Sequence, residues 1–166
     1  MSLPSHAETV IVGGGIAGAS AAYHLAKLGR TDVVLLERHQ LTSGTTWHAA
    51  GLIMQLRSTH ALTELARYNV ELYSSLEAET GQATGFKQNG TLGVARTKDR
   101  LFETRKLASI AKSTGIEAEM IGPEEAKALY PAIDEQVIEA AIFIPKDGQT
   151  NPVDTTMSLI AGARQR

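Results

Sequence analysis

The run Gly13-Gly14-Gly15-Ile16-Ala17-Gly18 constrains this chain more than any other feature, because Gly13, Gly15 and Gly18 are spaced as G-x-G-x-x-G between an apolar run and an Ala-rich segment. The apolar run is Thr9-Val10-Ile11-Val12. Short and unbroken, it reads as a strand buried on both faces, as in a parallel sheet. The glycines then divide the work: Gly13 makes the tight turn, Gly15 lets a pyrophosphate approach the backbone, and Gly18 permits close packing of helix on strand. A helix is predicted from Ala17 to Leu28, with Gly29 as the left-handed residue at its C-terminus. Its first amides, at Ile16 and Ala17, would face a phosphate with the positive end of the helix dipole behind them.

A second apolar run, Val33 to Leu36, ends in Glu37, nineteen residues after Gly18. The pattern needs a carboxylate there to accept from ribose hydroxyls, and the same charge would repel a 2′-phosphate, which argues against NADP. Arg38 is open to two readings, a phosphate contact or a solvated surface residue. Strand, glycines, helix, strand and acid arrive in order, so the segment reads as a dinucleotide site rather than a merely structural turn.

This opening serves NAD and FAD alike, and the choice depends on the residues after Glu37. An NAD-binding half would run on through a crossover helix into the next parallel strand. Here Ser43, Gly44, Thr45, Thr46, Ala49, Ala50 and Gly51 offer small and hydroxylated residues, with Trp47 the one bulky side chain. Small residues let a ring system approach the backbone, and hydroxyls can bond the pyrophosphate and ribityl chain, so the loop favours flavin. His48 lies within it. A neutral imidazole at that place could attack the 8α-methyl of a flavin and bond to it.

The glycine motif, Glu37-Arg38 and above all the run from Ser43 to Gly51 resemble the N-terminal part of the sarcosine dehydrogenase and dimethylglycine dehydrogenase family, within the D-amino-acid-oxidase-like flavoproteins. Asn89 to Ala95, Pro123 to Ala126 and Asp147 to Pro152 resemble the same family less specifically. The resemblance implies a Rossmann-like α/β FAD-binding domain with His48 as the covalent flavin ligand. It implies oxidation of an N-methyl amino acid by hydride transfer to the flavin, with the electron acceptor unspecified and tetrahydrofolate possible in a further C-terminal part. The residues that handle protons and the substrate carboxylate would then lie beyond Arg166. Arg57 is the nearby cation that could reach the flavin or a carboxylate; a surface role is equally open. Two alternatives remain: a non-catalytic regulatory protein on this scaffold, and an NAD-linked dehydrogenase.

At 166 residues the chain is far shorter than the oxidoreductase unit of that family, and we expect an incomplete FAD-binding domain joined to the start of a substrate domain. The expected division is residues 1–84 for the first part of the FAD domain, 85–150 for the start of the substrate domain, and 151–166 for a truncated helix returning to the FAD domain. That last helix has Asn151 as N-cap, Pro152 at its first position and Asp154 in its first turn. It runs to Arg166 without a stop signal.

Between these landmarks, apolar residues recur from Ser58 to Thr80 as an amphipathic helix, with Tyr68 and Tyr73 expected on its buried stripe. His60 opens that helix and reads as a cap-region residue rather than a base. Phe86 to Ala95 reads as a strand pair or bulged strand around Asn89-Gly90, and Leu101 to Lys112 as a second amphipathic helix. Glu117 to Ile121 and Val137 to Ile144 read as strands flanking a helix that opens at Pro123 and stops at Pro131, and Asp147-Gly148 reads as a turn.

Composition narrows the function classes. A formal net charge of −2 gives no electrostatic case for nucleic acid or an anionic membrane. The absence of cysteine rules out disulfides, a cysteine-held iron–sulfur cluster, a thiol nucleophile and flavin attachment through Cys. The five histidines lack metal-ligand spacing, and no metal site is expected. Three glycines interrupt the apolar stretch from Thr9 to Leu28, which makes it a strand-turn-helix rather than a membrane span. The expectation is a soluble protein of the cytoplasm, or of the mitochondrial matrix in a eukaryote with its transit peptide absent.

Overall fold

The computed structural model describes residues 4–166. In chain order its elements are β1 (Thr9–Val12), α1 (Ile16–Lys27), β2 (Val33–Leu36), a 3-10 turn (Thr46–His48), β3 (Leu52–Ile53), α2 (His60–Thr80), β4 (Thr91–Ala95), α3 (Lys98–Thr114), β5 (Glu119–Ile121), α4 (Pro123–Leu129), a 3-10 turn (Glu135–Val137), β6 (Ala140–Ile144), β7 (Gly148–Gln149) and α5 (Pro152–Arg164). They fall into two compact units. One holds residues up to Leu52, Glu71–Phe86 and Thr150–Arg166, and the other Ile53–Val70 and Lys87–Gln149.

In the first unit β1 and β2 pair in parallel, Ile11 opposite Leu35, with α1 as the crossover between them. Gly29 follows α1 with φ 80°, the left-handed stop that the sequence predicts. The core is Ala19 and Tyr23 of α1, Leu72 and Leu76 of α2, and Leu159 and Ile160 of α5. Full burial of a Leu such as Leu76 contributes about 1.5–3 kcal/mol. A Cβ at Gly162 would stand 2.8 Å from the Tyr23 ring, so that glycine lets α5 lie close against α1. Tyr23 in turn donates its hydroxyl to Glu79 Oε1 at 2.6 Å. The N-terminus of α5 is capped as predicted, Asn151 Oδ1 accepting from the amides of Val153 and Asp154.

Burial of β1 on both faces is not observed. Its residues alternate, and Val10 and Val12 are 54% and 83% exposed. The helices of this unit contribute their core to one face of the two-stranded sheet, and the described residues leave β1's other side chains in solvent.

The second unit is built on a three-stranded antiparallel sheet in the order β4-β6-β5. Its central strand β6 is apolar throughout because both its faces are covered. Ile142 and Ile144 join Ala111 of α3 and Ile116, while Ala141 joins Ala126 of α4 and Ile138. The strand pair expected within Phe86 to Ala95 does not form. Gly90 turns the chain at φ 81°, β4 starts at Thr91, and its partner is β6, with Leu92 opposite Phe143.

Residues 53–70, read from the sequence with the first unit, group with the second. Leu56 packs against the cluster that holds Ile142 and Ile144, Gln55 bonds Asp147, and Arg67 donates to the carbonyl of Thr114. The stripe predicted on α2 is correspondingly rotated. Thr63, Ala66 and Val70 are buried, whereas Leu62, Leu65 and Tyr68 are exposed. Tyr73 is half-buried, edge-on to Phe86 at 6.4 Å, and burial raises its pKa.

Candidate cofactor site

The site forms where β1 ends, α1 begins and β2 terminates. Gly13 takes φ 108°, a conformation that L side chains rarely adopt, and a Cβ there would meet open space. At Gly18 a Cβ would overlap the carbonyl oxygen of Gly13, so helix and strand approach as closely as the spacing predicts. The first amides of α1 have no intrahelical acceptors. Ile16 N–H donates to Thr46 Oγ1 at 3.0 Å, and Ala17, the next residue, is exposed. The helix N-terminus therefore places a partial positive charge beside the open glycine turn, with the Ile16 amide engaged by Thr46.

Glu37 leaves the end of β2 and turns back to this glycine turn. Its Oε2 accepts from Gly14 N–H at 2.8 Å and its Oε1 from His39 N–H at 2.9 Å. These two bonds, the one from Gly14 foremost, hold its pKa below the ordinary carboxylate value. An ionised carboxylate has about four lone-pair sites, so each oxygen keeps capacity to accept from a ribose hydroxyl. Beside it opens a cleft of about 640 Å³ with Val33, Leu35, Leu41, Ile160 and Ala163 in its walls and Arg30, Arg164 and Arg166 also lining it. Arg38 is exposed.

The loop from Thr42 to Gly51 is fastened at three places within the same unit. Thr42, buried and with φ 71°, donates its N–H to Gly14 O at 2.9 Å. Thr46 is buried beneath the exposed run Ser43, Gly44, Thr45, Trp47 and His48. Gly51, at φ 74°, has no room for a Cβ against the carbonyl of Thr150, whose N–H bonds Gly51 O at 2.8 Å. Its glycine is thus required by backbone approach.

His48 closes the 3-10 turn and is exposed, its ring 3.7 Å from that of Trp47 with 35° between the planes. Its Nδ1 lies 3.2 Å from the carbonyl oxygen of Gly44. A carbonyl can only accept, so in the neutral ring this contact places the hydrogen on Nδ1 and leaves the lone pair on Nε2.

The structure brings Gly13, Gly15, Ile16, Ala17, Gly18, Glu37, Ser43, Gly44, Thr45, Thr46 and His48 into one region, with every contact above made inside the first unit. Arg57 belongs to the second unit, where its N–H donates to Thr63 Oγ1 at 3.2 Å and its charge partly offsets a raised pKa at Asp147. Asp147, which local sequence marks only as a turn residue, does more in the structure. It is fully buried, and its Oδ1 accepts from both the backbone N–H of Gln55 at 2.8 Å and the Gln55 side chain at 3.3 Å. Burial raises its pKa, against the lowering by the Gln55 donors and the Thr91 hydroxyl. His60 starts α2, exposed, with Nε2 4.0 Å from Glu64.

A parallel βαβ frame with a glycine turn open to an anion and a carboxylate at the second strand's end defines a dinucleotide-binding α/β fold. The chain belongs to the FAD dependent oxidoreductase family, whose model matches residues 8–166. This assignment overturns the NAD-linked alternative. The chain is 44% identical over 165 residues to mitochondrial sarcosine dehydrogenase of Homo sapiens, covering 99% of this chain and 18% of that protein. It is 43% identical over 159 residues to mitochondrial dimethylglycine dehydrogenase of Rattus norvegicus, covering 96% of this chain and 19% of the relative. Among solved structures, the crystal structure of L-proline dehydrogenase from P. horikoshii superposes with a TM-score of 0.91 at 31% identity, over 98% of this chain and 43% of that one. The chain thus spans less than a fifth of the two dehydrogenases it resembles. No helix among the described residues is long and apolar enough to cross a membrane.

Proposed function

We propose that this chain is the flavin-anchoring part of an FAD-dependent amine oxidoreductase acting on an N-methyl amino acid of the sarcosine or dimethylglycine type, with the flavin bonded to His48. On this reading the first unit, residues up to 52 with 71–86 and 150–166, belongs to the FAD domain, and the second, residues 53–70 with 87–149, begins the substrate domain. The substrate class is supported by the similarity to sarcosine and dimethylglycine dehydrogenases.

The residues present fit FAD on chemical grounds. The open glycine turn and the amides that begin α1 suit a pyrophosphate. Glu37 suits the adenosine ribose, with the cleft beside it for the adenine. Ser43, Gly44 and Thr45 suit the remaining phosphate and ribityl contacts. When bound, the flavin supplies a two-electron acceptor for the C–H bond next to an amine nitrogen.

The observation that carries the covalent reading is the contact between His48 Nδ1 and Gly44 O at 3.2 Å. With FAD bound, Nε2 would be the nucleophile toward the 8α carbon while the Gly44 carbonyl holds the Nδ1–H side of the ring. Attachment would release one 8α proton and two electrons, the electrons going to an external electron acceptor.

Anaerobic addition of sarcosine or dimethylglycine to the full-length, FAD-loaded protein tests the activity. The flavin absorbance is expected to bleach with one of them and far more slowly with glycine. No bleaching with either contradicts the substrate class.

A further inference from the structure

We propose that Thr46 is the positioning residue for His48: its hydroxyl, anchored to the Ile16 amide at the start of α1, sets the turn that presents the imidazole. The inference rests on the assignment of His48 as the flavin-bonding residue.

Thr46 is 8% exposed inside a run whose neighbours are all exposed, so burial singles it out. Its Oγ1 accepts from Ile16 N–H at 3.0 Å, across 30 residues of sequence. A Cβ at Gly15 would stand 2.9 Å from that oxygen, which seats the hydroxyl against the glycine turn itself. Thr46 opens the 3-10 turn that His48 closes, and the turn is fixed by His48 N–H to Thr45 O at 3.2 Å and Ala49 N–H to Thr46 O at 3.1 Å. The anchored oxygen and the imidazole are therefore separated by one residue in a hydrogen-bonded turn, and a shift at Thr46 is carried to the Nδ1 contact with Gly44.

The start of the loop is clamped to the same glycine turn by Thr42 N–H to Gly14 O at 2.9 Å. Thr42 sits there at φ 71°, in the left-handed region that β-branched residues disfavour. That conformation persists because the surrounding bonds fix it. With Thr42 and Thr46 both tied to the glycine turn, the loop holds His48 at a set place relative to the start of α1.

Thr46 Oγ1 still carries its own hydrogen, which a phosphate oxygen could accept, and the test must separate positioning from direct cofactor contact. Thr46→Val and Thr46→Ser are made in the full-length protein and reconstituted from the apo form with FAD. Non-covalent affinity is measured in a His48→Ala background, and the rate of covalent attachment is measured at saturating FAD with His48 present. Positioning predicts that Thr46→Val changes affinity by less than about threefold but slows attachment by about tenfold or more, since misplacement of a reacting group costs rate rather than binding. Thr46→Ser restores the rate. In the apo protein, ¹⁵N shifts of the His48 ring report one Nδ1–H tautomer for the wild type and a mixture for Thr46→Val.

Weakened affinity with wild-type attachment at saturation would make Thr46 a phosphate contact and overturn the proposal. Wild-type protein that acquires no covalent flavin would refute the assignment of His48 instead. The ring shifts then decide the matter separately: an unchanged His48 ring in Thr46→Val overturns the positioning role, and a changed one upholds it.

Discussion

The amide of Gly14 donates to Glu37 Oε2 at 2.8 Å, closing the glycine turn onto the end of β2. Because the same carboxylate is the proposed ribose acceptor, turn geometry and cofactor binding share one side chain. Glu37→Ala is expected to weaken FAD binding about 10- to 100-fold in the full-length protein, the usual effect of losing charge-assisted hydrogen bonds. Fluorescence titration of the apo protein measures it, and unchanged affinity would remove Glu37 from the site.

The pKa of Glu37 is lowered by its backbone donors, chiefly Gly14. A depressed carboxyl pKa contributes stability above the unfolded-state value and loses it as pH falls through the folded value. Because Glu37 stays ionised through the neutral range, FAD affinity should not vary with its titration there, and should fall in acid, below the ordinary carboxyl value of 4.5, as protonation removes the ribose acceptor. Glu37→Gln should flatten that acid limb. An acid limb of wild-type steepness in Glu37→Gln would assign it to another group.

At Asp147 the sign is reversed. Burial raises its pKa, so folding favours the protonated form, and the contribution to stability is full below the ordinary value of 3.8 and lost as pH rises through the folded value. Asp147→Ala strands the buried donors of Gln55 and should cost about 1–3 kcal/mol in urea unfolding. Asp147→Asn keeps an acceptor for Gln55 and should lose less. The difference in stability between wild type and Asp147→Asn should shift in favour of the variant as pH rises. A difference independent of pH would mean that Asp147 does not titrate in the folded state.

Glycines in this region differ in what they demand. A Cβ at Gly18 would overlap the carbonyl of Gly13, whereas one at Gly44 meets nothing within 4 Å. Gly18→Ala should destabilise the protein by about 1–3 kcal/mol through overpacking. Gly44→Ala should stay within about 0.5 kcal/mol of wild type, as surface substitutions do. Thermal unfolding followed by circular dichroism compares them, and equal losses would contradict the packing described here.

The parts of the fold legible in the sequence are those set by local chemistry. The strand-glycine-helix order, the left-handed Gly29 and the Asn151 cap each depend on residues a few positions apart, and each is found where the pattern puts it. The parts that were not legible depend on distant partners. β4 pairs with β6 rather than with its own neighbours, because Gly90 turns the chain before the strand begins. The buried face of α2 is set by what its first half packs against, which leaves Leu62, Leu65 and Tyr68 in solvent against the expectation from periodicity. Asp147 looks like an ordinary turn acid until Gln55, 92 residues earlier, is brought to it. Within the site, residue types and spacing pointed to Glu37 and His48. The bond from Ile16 to Thr46 joins residues 30 apart and could not be read from either.

Covalent attachment through His48 is the central claim, and acid precipitation of the full-length, FAD-reconstituted protein tests it most directly. His48 lies eleven residues beyond Glu37, enough chain at roughly 3.3 Å per extended residue to reach from the ribose end of an extended FAD back toward its ring. Nε2 is the free nitrogen of the ring held against Gly44. The account predicts that flavin absorbance stays with the pellet, that peptide mass spectrometry finds the adduct on the peptide containing His48, and that His48→Ala releases all its flavin on denaturation. Complete release from the wild type, or flavin retained by His48→Ala, would contradict it.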